Sequence, residues 1–355
     1  MNLKKVTLVT LGLLVVLGIN NLWRSSEPRQ VIDSKPAQSS EIVTPIEYQR
    51  PLNQTLLTFS EWYLVYSPSN FATFIKTHFT NQFPFFGESL QFWQGYYQIS
   101  RYAKQLNYSN VSYHIMLWVI GSSTTIEYTI RGIYEQTIGA FTASVSGRVQ
   151  EDDYAAKVAQ DYVDFINKRP WYEFDFGSAL KHLWTDNAST PLSLRKFERL
   201  YVLTSEYLVK MIYAKVIKLG THSAFGVAKP TTAVLLQAKA TEIPKSAEIK
   251  QRYENGDVLV LAPRYEPFTQ FVLELSKQPA AIKEIAGNNH FITISAISAD
   301  TANLKCNACL TLFTQNILTQ PHQIRTVLIA PVTTLLDNIR EIQSSGYRIE
   351  HVYDF

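Results

Sequence analysis

The chain has 355 residues, too many for one ordinary core and enough for two domains with tethers. Its 33 Lys and Arg are nearly balanced by 30 Asp and Glu, so the +3 formal charge supplies no concentrated basic surface and excludes a nucleic-acid partner. Hydrophobic residues make up 46%, as in an ordinary globular protein, but aromatics reach 13% and are dense between Phe59 and Tyr134, which points to a large core, a membrane-facing surface or an apolar ligand pocket.

The N-terminus carries the firmest functional signal. Lys4 and Lys5 precede an uninterrupted apolar run from Val6 to Ile19, extended by Leu22 and Trp23, the layout shared by secretory signals and signal anchors. The small-residue cleavage pattern is poor, with Val16 and Gly18 its best pair, so residues 1–23 are expected to be an uncleaved signal anchor rather than a removed signal peptide. The expected partner of residues 6–23 is the lipid bilayer, and the charge bias places the bulk of the chain outside the cytoplasm, on a single-pass inner-membrane (periplasmic) topology. Residues 24–50 are polar, bear proline and show no helical or strand period; they are expected to be a flexible linker.

Residues 51–222 predict a duplicated α-helical domain. The pattern T-x-E-Y-x-[IV]-[RK]-x-I-Y-x-x-x-I occurs twice, pairing Thr125 with Thr204, Glu127 with Glu206, Tyr128 with Tyr207, Arg131 with Lys210 and Tyr134 with Tyr213. Upstream and in the same order, Phe71/Tyr162, Phe74/Phe165, Ile75/Ile166, Phe83/Phe174, Phe85/Phe176 and Trp93/Trp184 correspond. Two like units with matching apolar stripes would pack about a pseudo-twofold and close one core between them.

Candidate chemistry in this domain is sparse. Glu127 to Arg131 and Glu206 to Lys210 are spaced i,i+4, as in surface ion pairs; the functional alternative is that the pseudo-twofold brings Glu127 and Glu206 together as a carboxylate pair. Asp161, Asp164, Glu173 and Asp175 form a second acidic group, close in sequence to His182, that a divalent cation would fit, although neighbouring Lys168 and Arg169 favour simple solvated pairing. Tyr128, Tyr207, Glu173 and Asp175 are the candidate ligand-binding residues. In "GSSTT", residues 121–125, small side chains would let another helix approach; no nucleophile elbow surrounds Ser122 or Ser123, and His114 reads as a hydrogen-bonded core histidine.

Residues 223–256 read as a connecting segment with a strand-like "TAVLLQA" that adds an edge strand. From Asp257, β-branched runs alternate with helices: strands at "DVLVLAPRY", "HFITISAIS", "RTVLIAPV" and "YRIEHVYDF", a helix from Pro267 ended by Gly287, and another ended by Gly346. Leu261-Ala262-Pro263 and Ile329-Ala330-Pro331 hold the same place in each half. Two β-α-β units in series predict a small ferredoxin-like (βαββαβ) domain over 257–355, with a small parallel α/β layer as the alternative, so that the whole is α+β. The two cysteines, Cys306 and Cys309, form a C-x-x-C motif that outside the cytoplasm reads most economically as a local disulfide, with a redox dithiol or half a zinc site, completed by His290 and His322, as alternatives.

Phosphate loops, dinucleotide fingerprints and zinc-protease helices are missing from the sequence, so no cofactor or metal is expected. The expectation is a membrane-anchored extracytoplasmic assembly or binding module with a protein partner in the cell envelope. The alternative is an envelope enzyme using Glu127, Glu206, Asp161 or Asp164.

Overall fold

The computed structural model describes residues 42–354 apart from 107, 109, 187–191, 225–229, 238–241 and 300–301. The expected signal anchor, 1–23, and most of the linker lie outside the described residues. Among the described residues, no helix is long and apolar enough to cross a membrane.

The fold is mixed α+β, with a helical half followed by two four-stranded antiparallel sheets. The first half comprises α1 (Thr58–Ile75), α2 (Phe85–Gln105), α3 (Val111–Tyr134), a π-turn (Glu135–Gly139), α4 (Ala140–Ser146), α5 (Gln150–Ile166), α6 (Phe176–Thr185) and α7 (Leu194–Ala224). Local chemistry sets several starts. The Asn110 side chain accepts from the Tyr113 amide at the head of α3, and Asp175 accepts from Ser178 at the head of α6. Glu151, Asp152 and Asp153 fill the first turn of α5, where the helix dipole favours anions.

Aromatic residues spaced alike in the two stretches take like geometry. Phe71 meets Phe83 edge-on at 5.0 Å, and Tyr162 meets Phe174 edge-on at 5.2 Å; Phe83–Phe85 and Phe174–Phe176 are both 4.9 Å apart. The indole of Trp93 donates to Thr125 at 2.9 Å and that of Trp184 to Thr204 at 3.0 Å. Gly121 permits the close approach expected of "GSSTT": a Cβ there would lie 2.2 Å from the Phe92 ring on α2.

The second half runs β1 (Thr231–Leu236), β2 (Glu248–Arg252), β3 (Val258–Pro263), α8 (Glu266–Leu275), β4 (Ile282–Ile285), β5 (Phe291–Ala299), β6 (Leu310–Asn316), β7 (Gln323–Pro331), α9 (Leu335–Ser344) and β8 (Arg348–Val352). The first sheet has order β2-β3-β1-β4 and the second β6-β7-β5-β8. Each is thus a βββαβ unit with strand order 2-3-1-4. Register irregularities also fall alike, between Leu235/Leu236 and Ser295/Ala296 in one strand pair, and between Ile249/Gln251 and Thr311/Phe313 in the other.

This arrangement replaces the expected single ferredoxin-like sheet. Residues 257–355 are divided between two sheets, and "TAVLLQA" supplies a central strand rather than an edge. The strand readings from Asp257 onward hold, but the helix expected to end at Gly287 stops at Leu275. Pro279 cannot donate to a helix, and the β-branched Ile282 and Ile285 then pair as β4, leaving Gly287 in a turn at φ 78°. Gly346 does end α9, at φ 82°, with the Tyr347 amide reaching back to Ile342.

Strands β1, β3, β5 and β7 are buried on both faces because both faces are covered. Their inner faces join α8 and α9 in one continuous core that includes Val260, Phe268, Phe271, Ile294, Leu328 and Ile339. The outer face of the first sheet carries Leu235 and Leu259 against Tyr48. Residues 42–50, expected to end the flexible linker, are tied down instead: the amides of Val43 and Thr44 donate to Glu284 at 2.8 Å, and that of Arg50 donates to Ala286 O.

The outer face of the second sheet receives α1 and α2. The Tyr66 hydroxyl bonds both Ser295 (2.7 Å) and Tyr353 (2.8 Å), Phe59 meets Phe313 edge-on at 5.3 Å, and Gln91 bonds the backbone of Asn316. Arg325 is buried here, paired bidentately with Glu350 and lying over the Tyr66 ring at 4.1 Å.

Candidate functional site

The two T-x-E-Y helices meet, and they meet through ions. Arg131 on α3 reaches Glu206 on α7 at 3.1 Å; Lys210 on α7 binds Glu206 at 2.7 Å and Glu127 on α3 at 3.3 Å. The pairs cross over, 131 to 206 and 210 to 127, so the sequence order reverses from one helix to the other. Of the two expected i,i+4 pairs only Glu206–Lys210 forms; Arg131 instead spans to the other helix. Both carboxylates expected as a pair therefore sit on Lys210, but as partners of cations.

That setting suits structure rather than proton transfer. Burial alone would raise the Glu206 carboxyl, yet Arg131 and Lys210 overcome it and hold the group at about 2. Lys210 likewise keeps its proton, because Glu127 and Glu206 outweigh its desolvation. A carboxylate fixed in the charged state at neutral pH is a poor general acid.

The second acidic group does not assemble. Asp161, Asp164, Glu173 and Asp175 are all exposed, and among the described residues no three His, Cys, Asp or Glu could hold a metal ion. Asp164 accepts from Gln160, and Asp175 is consumed as the α6 cap, where the Ser178 hydroxyl and amide hold it below its ordinary range. His182 pairs with Asp186 at 3.2 Å. Tyr128 and Tyr207 are core residues: Tyr128 bonds Ser67 at 2.8 Å and packs edge-on against Phe85 at 5.6 Å, and burial pushes both phenols up. Cys306 and Cys309 form a disulfide in the loop before β6. Asn307 holds that loop to Glu341 on α9. His114 bonds the Tyr96 hydroxyl at 2.8 Å. Ser122 and Ser123 lie along a shallow groove lined by Ile115, Trp118, Val119 and Ile126.

Two features were not foreseen. The first is a buried charge cluster where the π-turn, α5 and the start of α7 converge. Arg195 binds Asp152 (2.7 Å) and Glu198 (3.2 Å), and Arg199 binds Glu135 (3.0 Å) and Glu198. Gly139 makes room for it, since a Cβ there would lie 2.4 Å from a Glu135 carboxylate oxygen. The cluster is internally paired, as buried charge must be.

The second is the surface above that cluster. The first turns of α7 are inside out: Arg195 and Arg199 are 0% and 1% exposed, whereas Phe197 and Tyr201 are 56% and 68% exposed. The apolar outward positions continue through Leu208, Val209 and Ile212. On α3 and α4 they run through Ile115, Trp118, Ile126, Ile130, Ile133 and Phe141, over about 40 Å at about 1.5 Å per residue. Ile130 and Val209, at like positions in the two T-x-E-Y helices, are each 66% exposed. Among exposed residues of 111–145 Glu127 alone is charged, and 192–213 has none. With side chains of about 150–250 Å² each for the aromatics, the two stripes leave on the order of 2,000 Å² of apolar surface uncovered. A typical monomer's largest such patch is about 300–600 Å². The sequence signal was present in "VSYHIMLWVI", which is apolar at every position but Ser112 and His114 and so carries more apolar surface than one neighbour covers.

No family model matches the chain, and neither a curated protein nor a solved structure matches it.

Proposed function

We propose that this chain is a membrane-tethered, extracytoplasmic assembly or binding module without a reaction of its own, and that the outward face of α3, α4 and α7 is its binding surface. One observation carries the reading: α7 turns its arginines into the protein and its phenylalanine and tyrosine out. Burying ions while exposing aromatics is costly in water, and it becomes favourable when something apolar covers the outer face. At about 25 cal/mol per Å², covering half of such a surface contributes on the order of 25 kcal/mol before the costs of association, enough to drive stable docking.

In this reading residues 51–222 are a duplicated helical unit, supported by the paired Trp-to-Thr hydrogen bonds, the matched aromatic clusters and the crossed ion pairs. Doubling gives two outward stripes of the same chemistry, held side by side through Arg131–Glu206 and Lys210–Glu127. Residues 1–23 supply the anchor, and the two-sheet half provides a rigid base for α1 and α2.

Two experiments test it. A periplasmic reporter fused after residue 50 is expected to be active; a signal from the cytoplasmic side alone overturns the topology. The double substitution Ile130→Asp with Val209→Asp is expected to abolish association of the full chain with its partner while leaving its unfolding midpoint within a few degrees. Unchanged association refutes the assignment of the surface.

A further inference from the structure

The geometry points to the bilayer itself as what covers this face: α3, α4 and α7 lie in the membrane interface with their apolar stripes sunk among the acyl chains, a second and monotopic contact beside the expected anchor. This inference rests on the reading of the face as a binding surface and adds the identity of its partner.

Two observations favour lipid over a second protein, and a third is compatible with either. The charges beneath the face are neutralised within the chain: Arg195 by Asp152, Arg199 by Glu135 and Glu198, Arg131 by Glu206, and Lys210 by Glu127 and Glu206. Internal pairing of this kind is required of any buried charge, and it leaves none of these cations beneath the face for an apolar covering to solvate. Next, the face offers almost no directional groups. A protein interface carries about one hydrogen bond per 100–200 Å² to fix its register, whereas the exposed polar side chains here are chiefly short hydroxyls such as Ser122, Thr137 and Ser205. Lipid tails require no register. The exposed set also includes Trp118, Phe141, Phe197 and Tyr201, residues that settle at the boundary between headgroups and acyl chains.

Reach is sufficient. If residues 6–19 sit in a bilayer, the chain from 20 to 41 can extend no further than about 75 Å before the body begins, so the face is never far from the same membrane. The face carries no exposed lysine or arginine between 192 and 213, but Lys215 and Lys218 are exposed further along α7, so docking is expected on zwitterionic vesicles and to be modestly stronger on anionic ones.

The test uses the full chain reconstituted in phosphatidylcholine vesicles, with an environment-sensitive fluorophore at a single introduced cysteine; Cys306 and Cys309 are joined and do not compete. Labels at Ile130→Cys and Val209→Cys are expected to shift to the blue and to be quenched at least twofold by nitroxide-bearing acyl chains. A label at Lys250→Cys, on the exposed edge strand β2, is expected to do neither. If the first two labels remain as wet as the third while the chain stays vesicle-bound after alkaline carbonate, the tether stands and the interfacial docking is overturned. Labels that are dry, unquenched by lipid and close to labels on other copies overturn it in favour of self-association, leaving the binding surface intact. Release of the chain by carbonate, with quenching retained, supports interfacial docking and removes the anchor instead.

Discussion

Replacing Glu206 with Gln removes the acid at the crossing of α3 and α7 while keeping its volume. Glu206 faces Arg131 at 3.1 Å and Lys210 at 2.7 Å, and these cations hold its carboxyl at about 2 rather than the ordinary 4.5. At about 1.4 kcal/mol per tenfold change in proton affinity, that difference corresponds to about 3 kcal/mol of stability. Lys210 keeps Glu127, so the loss on substitution is expected to be about 2 kcal/mol at pH 7. Because the folded-state value lies below the unfolded one, the stabilisation is fully present above about pH 5 and disappears as pH falls from 4.5 through 2. Denaturant unfolding at pH 7 and near pH 2.5 reads both quantities, and a double-mutant cycle with Arg131→Met isolates the bond between helices. Equal stability of variant and parent at pH 7, or zero coupling in the cycle, would refute the crossed pairing.

Three further outcomes are expected. Gly139→Ala places a methyl 2.4 Å from Glu135 and drives that carboxylate off Arg199, costing about 3 kcal/mol; an unchanged unfolding midpoint would remove the cluster's structural role. Glu88 is fully buried, accepts from Tyr63 and Asn70, and has its pKa raised by burial, so its favourable contribution is complete below pH 4.5 and lost as pH rises through the higher folded value. Glu88→Gln should therefore match or exceed the parent by about 1 kcal/mol at pH 8 and lose that advantage at pH 4, and thermal melts that show the opposite order contradict this. Cys306→Ser opens a short loop and is expected to cost about 2 kcal/mol by chain entropy without changing vesicle docking. Loss of docking in that variant, with its fold intact, would instead point to thiol chemistry.

Much of the local structure was legible in the sequence because it depends on neighbours along the chain. β-branched runs gave β3, β5, β7 and β8, Gly346 marked the end of α9, and the T-x-E-Y spacing marked α3 and α7 as like helices. The pairing of strands was not legible. Leu261-Ala262-Pro263 and Ile329-Ala330-Pro331 announced a repeat, but β1, which completes the first sheet, lies in a stretch that reads as connection. Which strands join is decided by long-range backbone hydrogen bonds that leave no periodic trace.

The same division holds for the site. Glu127, Arg131, Glu206 and Lys210 were visible as charges at helical spacing, yet which acid meets which base depends on how two helices cross, and the structure gave Arg131 to the other helix. Composition showed a chain rich in aromatics, which fits a large core, a membrane-facing surface or a ligand pocket alike. Only the tertiary structure decided where the aromatics go, by folding Arg195 and Arg199 inward onto Asp152, Glu135 and Glu198 and so leaving Phe197 and Tyr201 outside. A helix has two faces; its sequence sorts residues between them, and the partners that the rest of the fold supplies determine which face is turned to the interior.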